Sequence, residues 1–423
     1  MKILVIGSGG REHAIVWRLA RCPSVSKLYA APGNPGIGQV AELVAAPASD
    51  AEALLAAAKS AKVDLTIVGP EAPLAAGIVD LFRAHSLLIV GPTAAAARLE
   101  SSKVFAKDFM CRAGLPTAEF VTVESLEDAK KALHRFGCPV VLKADGLAAG
   151  KGVIVAATRH EAERAAEGLL SGARVGSAGS RLVIEEYLTG EEVSFIALSD
   201  GEIALPLEPT QDHKAVWDGD TGPNTGGMGA YCDSRILTEH QNRQIMDRII
   251  HPTIDRMRQE GSPFTGFLYA GLMMTAAGPK ILEFNVRLGD PEAQALLHRI
   301  DCDWAEVLLA SAREGLKSCT LDWRREPSVC VVLAAHGYPG QVRTGDEITG
   351  LEAAEAEGAT VFHAGTKRAN GRLLTAGGRV LGVTSSGPTL PAAIQNVYRA
   401  AGKIRFEGMH YRSDIGRKGL KRW

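Results

Sequence analysis

Lys280-Ile281-Leu282-Glu283-Phe284-Asn285-Val286-Arg287, followed at once by Leu288-Gly289-Asp290-Pro291-Glu292, is the stretch from which the rest of the chain can be read. On a strand, side chains two apart share a face, so Glu283, Asn285 and Arg287 point together while Leu282, Phe284 and Val286 turn the other way. A carboxylate and an amide oxygen at that spacing suit Mg²⁺, a hard cation that takes oxygen ligands and bridges to phosphate oxygens. Arg287, one step on, is placed to hold a transferring phosphoryl group. A polar strand face can also be merely solvated; the Gly-Asp-Pro-Glu run close behind argues for a site.

Upstream, Lys143-Ala144-Asp145-Gly146-Leu147-Ala148-Ala149-Gly150-Lys151-Gly152 runs from a strand ending in Lys through three glycines and a second Lys. Such a loop can fold over a polyphosphate, its N–H groups donating and its lysines neutralising charge. It lacks the Gly-Lys-Ser/Thr and following helix of a P-loop, and by itself also reads as a hairpin with solvated lysines. Around it, Val140 to Lys143, Gly152 to Ala156, Leu182 to Glu186 and Glu192 to Ala197 read as strands, and Glu161 to Leu170 as a helix. Asp212-His213-Lys214 and Gly222 to Gly229 fall in about 20 residues with no apolar periodicity, which predicts a functional loop. There His213 reads equally as a pocket-lining or structural histidine and as a catalytic one.

In the first hundred residues short apolar runs (Ile3 to Ile6, Lys27 to Ala31, Leu65 to Val68, Leu87 to Val90) alternate with amphipathic ones (Glu12 to Ala20, Ala51 to Lys59, Gly77 to Ala84). That alternation predicts a doubly wound parallel sheet, with ligands at the carboxyl ends of its strands. Those ends carry Gly7-Ser8-Gly9-Gly10, Pro32-Gly33-Asn34 and Gly69-Pro70-Glu71. The first turn leads into a helix and suits an anion. A dinucleotide fingerprint is disfavoured, because Glu12 stands where the third glycine belongs and the next acid is Glu42. From Ser328 on, short strands and Gly turns predict a further unit.

The 423 residues suffice for about three domains. Lys and Arg number 47 against 48 Asp and Glu, a formal charge of -1, which gives no electrostatic case for nucleic acid or membrane surfaces. The seven cysteines are scattered without a CxxC pair, so neither a disulfide framework nor a zinc site is expected. With no signal-like leader or apolar span, a cytoplasmic protein is expected.

These runs, together with Val5 to His13, Ala31-Pro32-Gly33-Asn34, Val68 to Leu74, Gln211 to Lys214, Gly222 to Tyr231 and Phe406-Glu407-Gly408-Met409, closely resemble the phosphoribosylamine–glycine ligase family of the ATP-grasp superfamily nearly end to end. The resemblance implies an N-terminal α/β domain over 1–101, an α+β ATP-grasp domain over 102–326 with a small glycine-loop lid at about 118–192, and a small β-rich C-terminal domain over 327–423. It implies ATP-driven ligation of glycine to 5-phosphoribosylamine through glycyl phosphate, with Mg²⁺ or Mn²⁺, and no obligate protein partner. On the matching positions, Lys103 and Lys143 meet the nucleotide phosphates with Gly146, Gly150, Lys151 and Gly152 of the loop. Glu185, Glu186, Tyr187 and Leu188 form the hinge at adenine, Glu192 holds the ribose hydroxyls, and Glu283 and Asn285 bind metal. Gly9, Gly10, Asn34 and Glu71 are expected to face phosphoribosylamine, with Thr225, Gly226, Gly227 and Asp290 completing the substrate side. Arg287, Lys143, Asp212 and Lys214 are expected to be catalytic. Where many superfamily members carry another metal-binding carboxylate, about a dozen residues before Glu283, this chain has Gly271-Leu272.

Overall fold

The computed structural model describes residues 1–147, 152–172 and 180–423. Its first hundred residues form a five-stranded parallel sheet of β1 (Lys2–Gly7), β2 (Lys27–Pro32), β3 (Glu42–Leu43), β4 (Leu65–Val68) and β5 (Ile89–Val90), in the order β3-β2-β1-β4-β5. β1 and β4 are buried almost throughout, as strands covered by helices on both faces must be. The order reverses at β1, which lies between β2 and β4.

A four-stranded antiparallel sheet, β6 (Phe120–Val123), β7 (Val140–Ala144), β8 (Val153–Ala156) and β9 (Leu182–Glu186), has the order β6-β9-β7-β8. The helices Leu126–Arg135 and Arg159–Leu170 pack on it through Ala129, Leu133, Ala162 and Leu169. Ser125 and Thr158 cap them, each accepting from an N–H three residues on, so both helices begin where a side-chain oxygen replaces the missing backbone partner.

The third sheet runs through both remaining parts of the chain. Its strands are β10 (Glu191–Asp200), β11 (Ala204–Pro206), β12 (Thr210–Asp212), β15 (Gly229–Cys232), β16 (Thr265–Thr275), β17 (Gly278–Asn285), β18 (Ser328–Ala334), β19 (Thr360–His363) and β22 (Arg379–Ser386). They lie in the order β17-β16-β10-β12-β15-β18-β22-β19, with β11 beside β10. The antiparallel β15–β18 pair joins the central and C-terminal parts in one ladder. β18, Ser-Val-Cys-Val-Val-Leu-Ala, is buried along its whole length because it is flanked on both sides, by β15 and β22. The segment after Asp212, expected as a structureless loop, instead holds a hairpin of β13 (Ala215–Trp217) and β14 (Thr221–Asn224). It was illegible because its strands are short and the second is fully exposed, leaving no apolar alternation to read. β20 (Thr366–Ala369) and β21 (Arg372–Thr375) make a further hairpin.

β17 departs from strict alternation. Gly271 faces Glu283 and Leu272 faces Ile281, so Leu282 is an extra residue, a bulge. Ile281 and Phe284 enter the core, and Leu282, expected to share a face with Phe284 and Val286, packs instead with Ala118, Leu188 and Met273. Glu283, Asn285 and Arg287 remain on one face, since the bulge lies before all three.

Candidate functional site

Between the three sheets lies a cleft with a cavity volume of about 590 Å³. Lys103, Lys143, Glu185 to Leu188, Glu192, Asp212, Lys214, Glu283, Asn285, Arg287, Asp290, Thr225, Gly226 and Glu71 all line it, joined by Tyr338 and Arg379 from the C-terminal part. Two elements bring the lysines together. Lys103 opens the helix Lys103–Arg112, whose N-cap Ser102 accepts from Phe105 N–H (3.1 Å) and donates to Asp145 (2.9 Å). Asp145 also accepts from Val104 N–H (3.2 Å) and pairs with Arg181 (2.6 Å), tying the start of the glycine loop to the helix. Lys103 Nζ then donates to the Gly146 carbonyl at 3.0 Å. Gly152 lines the cleft, whereas Gly150 and Lys151 lie outside the described residues.

Lys143, at the end of β7, pairs with Glu185 and donates to the Leu282 carbonyl at 2.8 Å. Glu185 also binds Lys107 at 2.5 Å. The Glu185 carboxylate is therefore shared by two lysines, and its backbone lies in the ladder between β6 and β7. Lys107, which the motifs did not single out, lies one helical turn after Lys103, and that i,i+4 spacing was the available signal. Burial holds its ammonium down to about 8, with Glu185 opposing. Apolar Ala106, Met110, Val141, Leu188, Met273 and Leu282 line this end of the cleft. Glu186 pairs with Lys280 (2.8 Å), and Tyr187 is 44% exposed.

Toward the other end, Lys214 pairs with Glu192 at 3.0 Å. Arg287 is held by Glu100 (2.7 Å), Glu71 (3.2 Å) and Asn285 Oδ1 (3.0 Å). Burial would lower the Arg287 guanidinium, but Glu100 and Glu71 hold it above its ordinary value. Asp290 pairs with Arg379 (3.3 Å), which also donates to the carbonyls of Gly226 and Asp290. Glu292, at the start of the helix Glu292–Leu297, accepts from Tyr269 (2.6 Å) and Ser194 (3.2 Å). Thr225 Oγ1 accepts from Gly227 N–H at 2.9 Å, and a Cβ on Gly227, whose φ is +110°, would lie 2.4 Å from Pro291.

Most cations of the cleft thus have carboxylate partners, and two of its carboxylates, Glu283 and Asp212, have neither a paired cation nor a hydrogen-bond donor among the described residues. Glu283 accepts no hydrogen bond among the described residues; burial would raise it, but Lys214, Lys143, Lys103 and Arg287 hold it below the usual carboxylate range. Asp212 has a sealed Oδ1 with no partner, and burial together with Glu292 pushes its carboxyl up to about 8, Lys214 opposing. An ionised, unpartnered carboxylate with an amide oxygen two residues away on the same face fits a divalent cation. No cluster of three His, Cys, Asp or Glu is built to hold a metal by itself among the described residues. Gly271 stands opposite Glu283, and a Cβ there would lie a tight 3.3 Å from the Glu283 side chain.

Gly9, Gly10 and Asn34, expected to face phosphoribosylamine, follow the carboxyl ends of β1 and β2. The Gly9 N–H is already taken by Glu12 Oε2 at 2.6 Å, and Gly9 and Gly10 are not among the residues lining the cleft. Glycine at positions 7, 9 and 69 makes room for the Glu12 side chain: a Cβ would come within 2.4, 2.8 and 2.1 Å of it, respectively. Asn34 is also away from the cleft wall, its amide donating to the Ser8 and His363 carbonyls (2.8 Å each) and accepting from the N–H groups of Gly36 and Ile37 (3.0 Å each). It is a clamp between the N- and C-terminal parts. His213 is buried, its Nδ1 3.3 Å from the Gly229 carbonyl, and burial near Lys418 and Arg412 holds it neutral, down to about 4.

Comparison with known proteins agrees with this assembly. Residues 1–100, 101–293 and 328–418 match the N, ATP-grasp (A) and C domain models of phosphoribosylglycinamide synthetase. A phosphoribosylamine–glycine ligase of Yersinia pestis is 51% identical over 100% of both chains. The crystal structure of the Thermotoga maritima phosphoribosylamine–glycine ligase superposes with a TM-score of 0.86 at 34% identity, over 98% of this chain and 100% of that one. The biotin carboxylase domain of Hydrogenobacter thermophilus 2-oxoglutarate carboxylase, crystallised with MgADP, shares the fold at 17% identity (TM-score 0.74, 97% of this chain, 91% of that one). With all three domain models matched in order and a relative half identical from end to end, the chain belongs to the phosphoribosylglycinamide synthetase family.

Proposed function

We propose that the protein ligates glycine to 5-phosphoribosylamine at the expense of ATP, giving glycinamide ribonucleotide, ADP and phosphate in purine biosynthesis. The observation that carries this reading is the cleft itself: lysines from two elements, the Glu283–Arg287 strip and the N-terminal domain meet in one cavity, on a chain of this family. The glycine carboxylate attacks the γ-phosphorus, giving glycyl phosphate and ADP. The phosphoribosylamine nitrogen then attacks the acyl carbon, phosphate leaves and the nitrogen gives up a proton. No enzyme nucleophile is needed, so the residues work by positioning and charge stabilisation.

In this reading Lys103 and Lys143 take the nucleotide phosphates, the latter exchanging Glu185 for a phosphate oxygen, while the apolar end and the backbone of Glu185 to Leu188 take adenine. Glu192 meets the ribose hydroxyls, and Arg287 holds the phosphoryl group in transit. Asp212, Lys214, Asp290 and the Thr225-Gly226-Gly227 turn surround the glycine and the amine. Glu283 and Asn285 would hold Mg²⁺, or Mn²⁺, whose part is to neutralise charge on the phosphate oxygens. The domain division is 1–101, 102–326 and 327–423, with residues about 118–192 as the lid, and the expected compartment is the cytoplasm; no helix among the described residues is long and apolar enough to cross a membrane. Phosphate release from ATP should require glycine and phosphoribosylamine together. Release with neither substrate dependence, or a nicotinamide-dependent redox signal, would overturn the reading.

A further inference from the structure

β17 is the outermost strand of its sheet, so one edge has no strand beside it. Buried backbone groups on such an edge need other partners. Ile281 N–H donates to the Pro116 carbonyl and the Leu282 carbonyl accepts from Lys143, both at 2.8 Å. Just past the strand's end, between Asn285 and Arg287, the Val286 N–H donates to Glu100 Oε2 at 2.8 Å. The other oxygen, Oε1, accepts from Arg287 Nη2 at 2.7 Å. Glu100 sits in the helix Ala94–Ser101 with its side chain 8% exposed, and it is the last residue matched by the N domain model.

We propose that Glu100 is a positioning residue for phosphoryl transfer: from the N-terminal domain it fastens the end of the metal-binding strand with one oxygen and aims Arg287 with the other. This rests on Arg287 holding the transferring phosphoryl group. A guanidinium is a planar fork whose direction matters, and two carboxylates from the N-terminal domain, Glu71 and Glu100, fix it. The Val286 contact pins the backbone between the second metal ligand and Arg287. Misplacing such a group by about 1 Å can cost about 100-fold in rate.

The test is steady-state kinetics of Glu100→Gln, Arg287→Ala and the double variant, with ATP affinity measured by calorimetry and thermal unfolding alongside. Glutamine keeps the size but leaves one amide oxygen for two donors. The expected result for Glu100→Gln is kcat lower by about 10- to 100-fold with ATP affinity nearly unchanged. In the double variant, the Gln substitution should cause little further loss, because Glu100 acts through Arg287. Glu100→Asp keeps the charge on a shorter stem and should fall between wild type and Gln; it also serves if the Gln variant does not fold. Wild-type kcat in Glu100→Gln or Glu100→Asp overturns the proposal while leaving Arg287 its role. An equal loss in both Arg287 backgrounds, with weaker ATP binding and a lower melting temperature, overturns it in favour of a purely structural role. Wild-type activity in Arg287→Ala overturns the reading of Arg287 and the proposal with it.

Discussion

The glycine turn after β1 and the polar strip of β17 both look, as sequence, like places for a phosphate, yet they are finished differently. At the turn, a backbone donor is satisfied from within, by Glu12 lodged against three glycines. At the strip, Glu283 is charged and without a hydrogen-bond partner among the described residues, facing Lys103, Lys143 and Lys214 from three separate segments. A ligand is drawn to the group whose bonding is incomplete, and a glycine-rich outline alone does not say which group that is.

The largest effects should come from the incomplete side. Lys143→Met should lower kcat on the order of 100- to 1,000-fold, as loss of a charge-stabilising donor does. Glu283→Gln should remove most activity and weaken Mg²⁺-dependent nucleotide binding while leaving the melting curve in place. Near-normal turnover in either variant, by coupled ADP assay, would erase the contrast between the two regions.

Next comes the clamp between the N- and C-terminal parts, where the His363 N–H donates to His13 Nδ1 at 2.7 Å. Burial holds His13 down to about 3 and His363 to about 4, against an ordinary value of 6.5. The unfolded chain therefore takes up protons that the folded one refuses. Their contribution to stability is complete above pH 6.5 and is lost as pH falls toward 4, at up to about 1.4 kcal/mol per pH unit for each group. Denaturant melts of wild type and His363→Gln should converge in this window as pH falls; parallel curves would mean that the pair is not what titrates.

On the finished side, Glu12→Gln should cost about 1–3 kcal/mol of stability, since a buried carboxylate serving Gly9 N–H and Arg11 Nε (2.6 Å each) becomes a neutral amide. If that variant instead bound phosphoribosylamine much more weakly with stability intact, the turn would be a ligand site after all.

The smallest effect concerns Gly10. Its φ is not in the left-handed region, so alanine brings no backbone strain, but the added Cβ would lie 2.5 Å from Gln294 Nε2, which donates to Asp290 at 2.8 Å. That amide can shift. Gly10→Ala should raise the KM for phosphoribosylamine only a few-fold, roughly 1 kcal/mol, without touching ATP. A loss matching Lys143→Met would place the sugar phosphate at the turn itself.

The legible parts of the molecule are those whose information is local. Strand and helix alternation announced the parallel sheet, and the spacing of Glu283, Asn285 and Arg287 put them on one face. A single bulge was enough to move Leu282 off the face that alternation assigned it. Short exposed strands such as Thr221–Asn224 carry no period at all.

What the amino-acid sequence determined by itself was the inventory: which segments fold, which residue types converge at strand ends, and which family they resemble. The tertiary structure alone decided the pairing: Glu12 into its three glycines, Asn34 across to His363, Glu185 between two lysines, and Glu100 onto Arg287 187 positions away. Periodicity is a property of neighbours along the chain. The state of a buried charge or hydrogen-bonding group depends on whatever packs against it, and here that is supplied by distant elements.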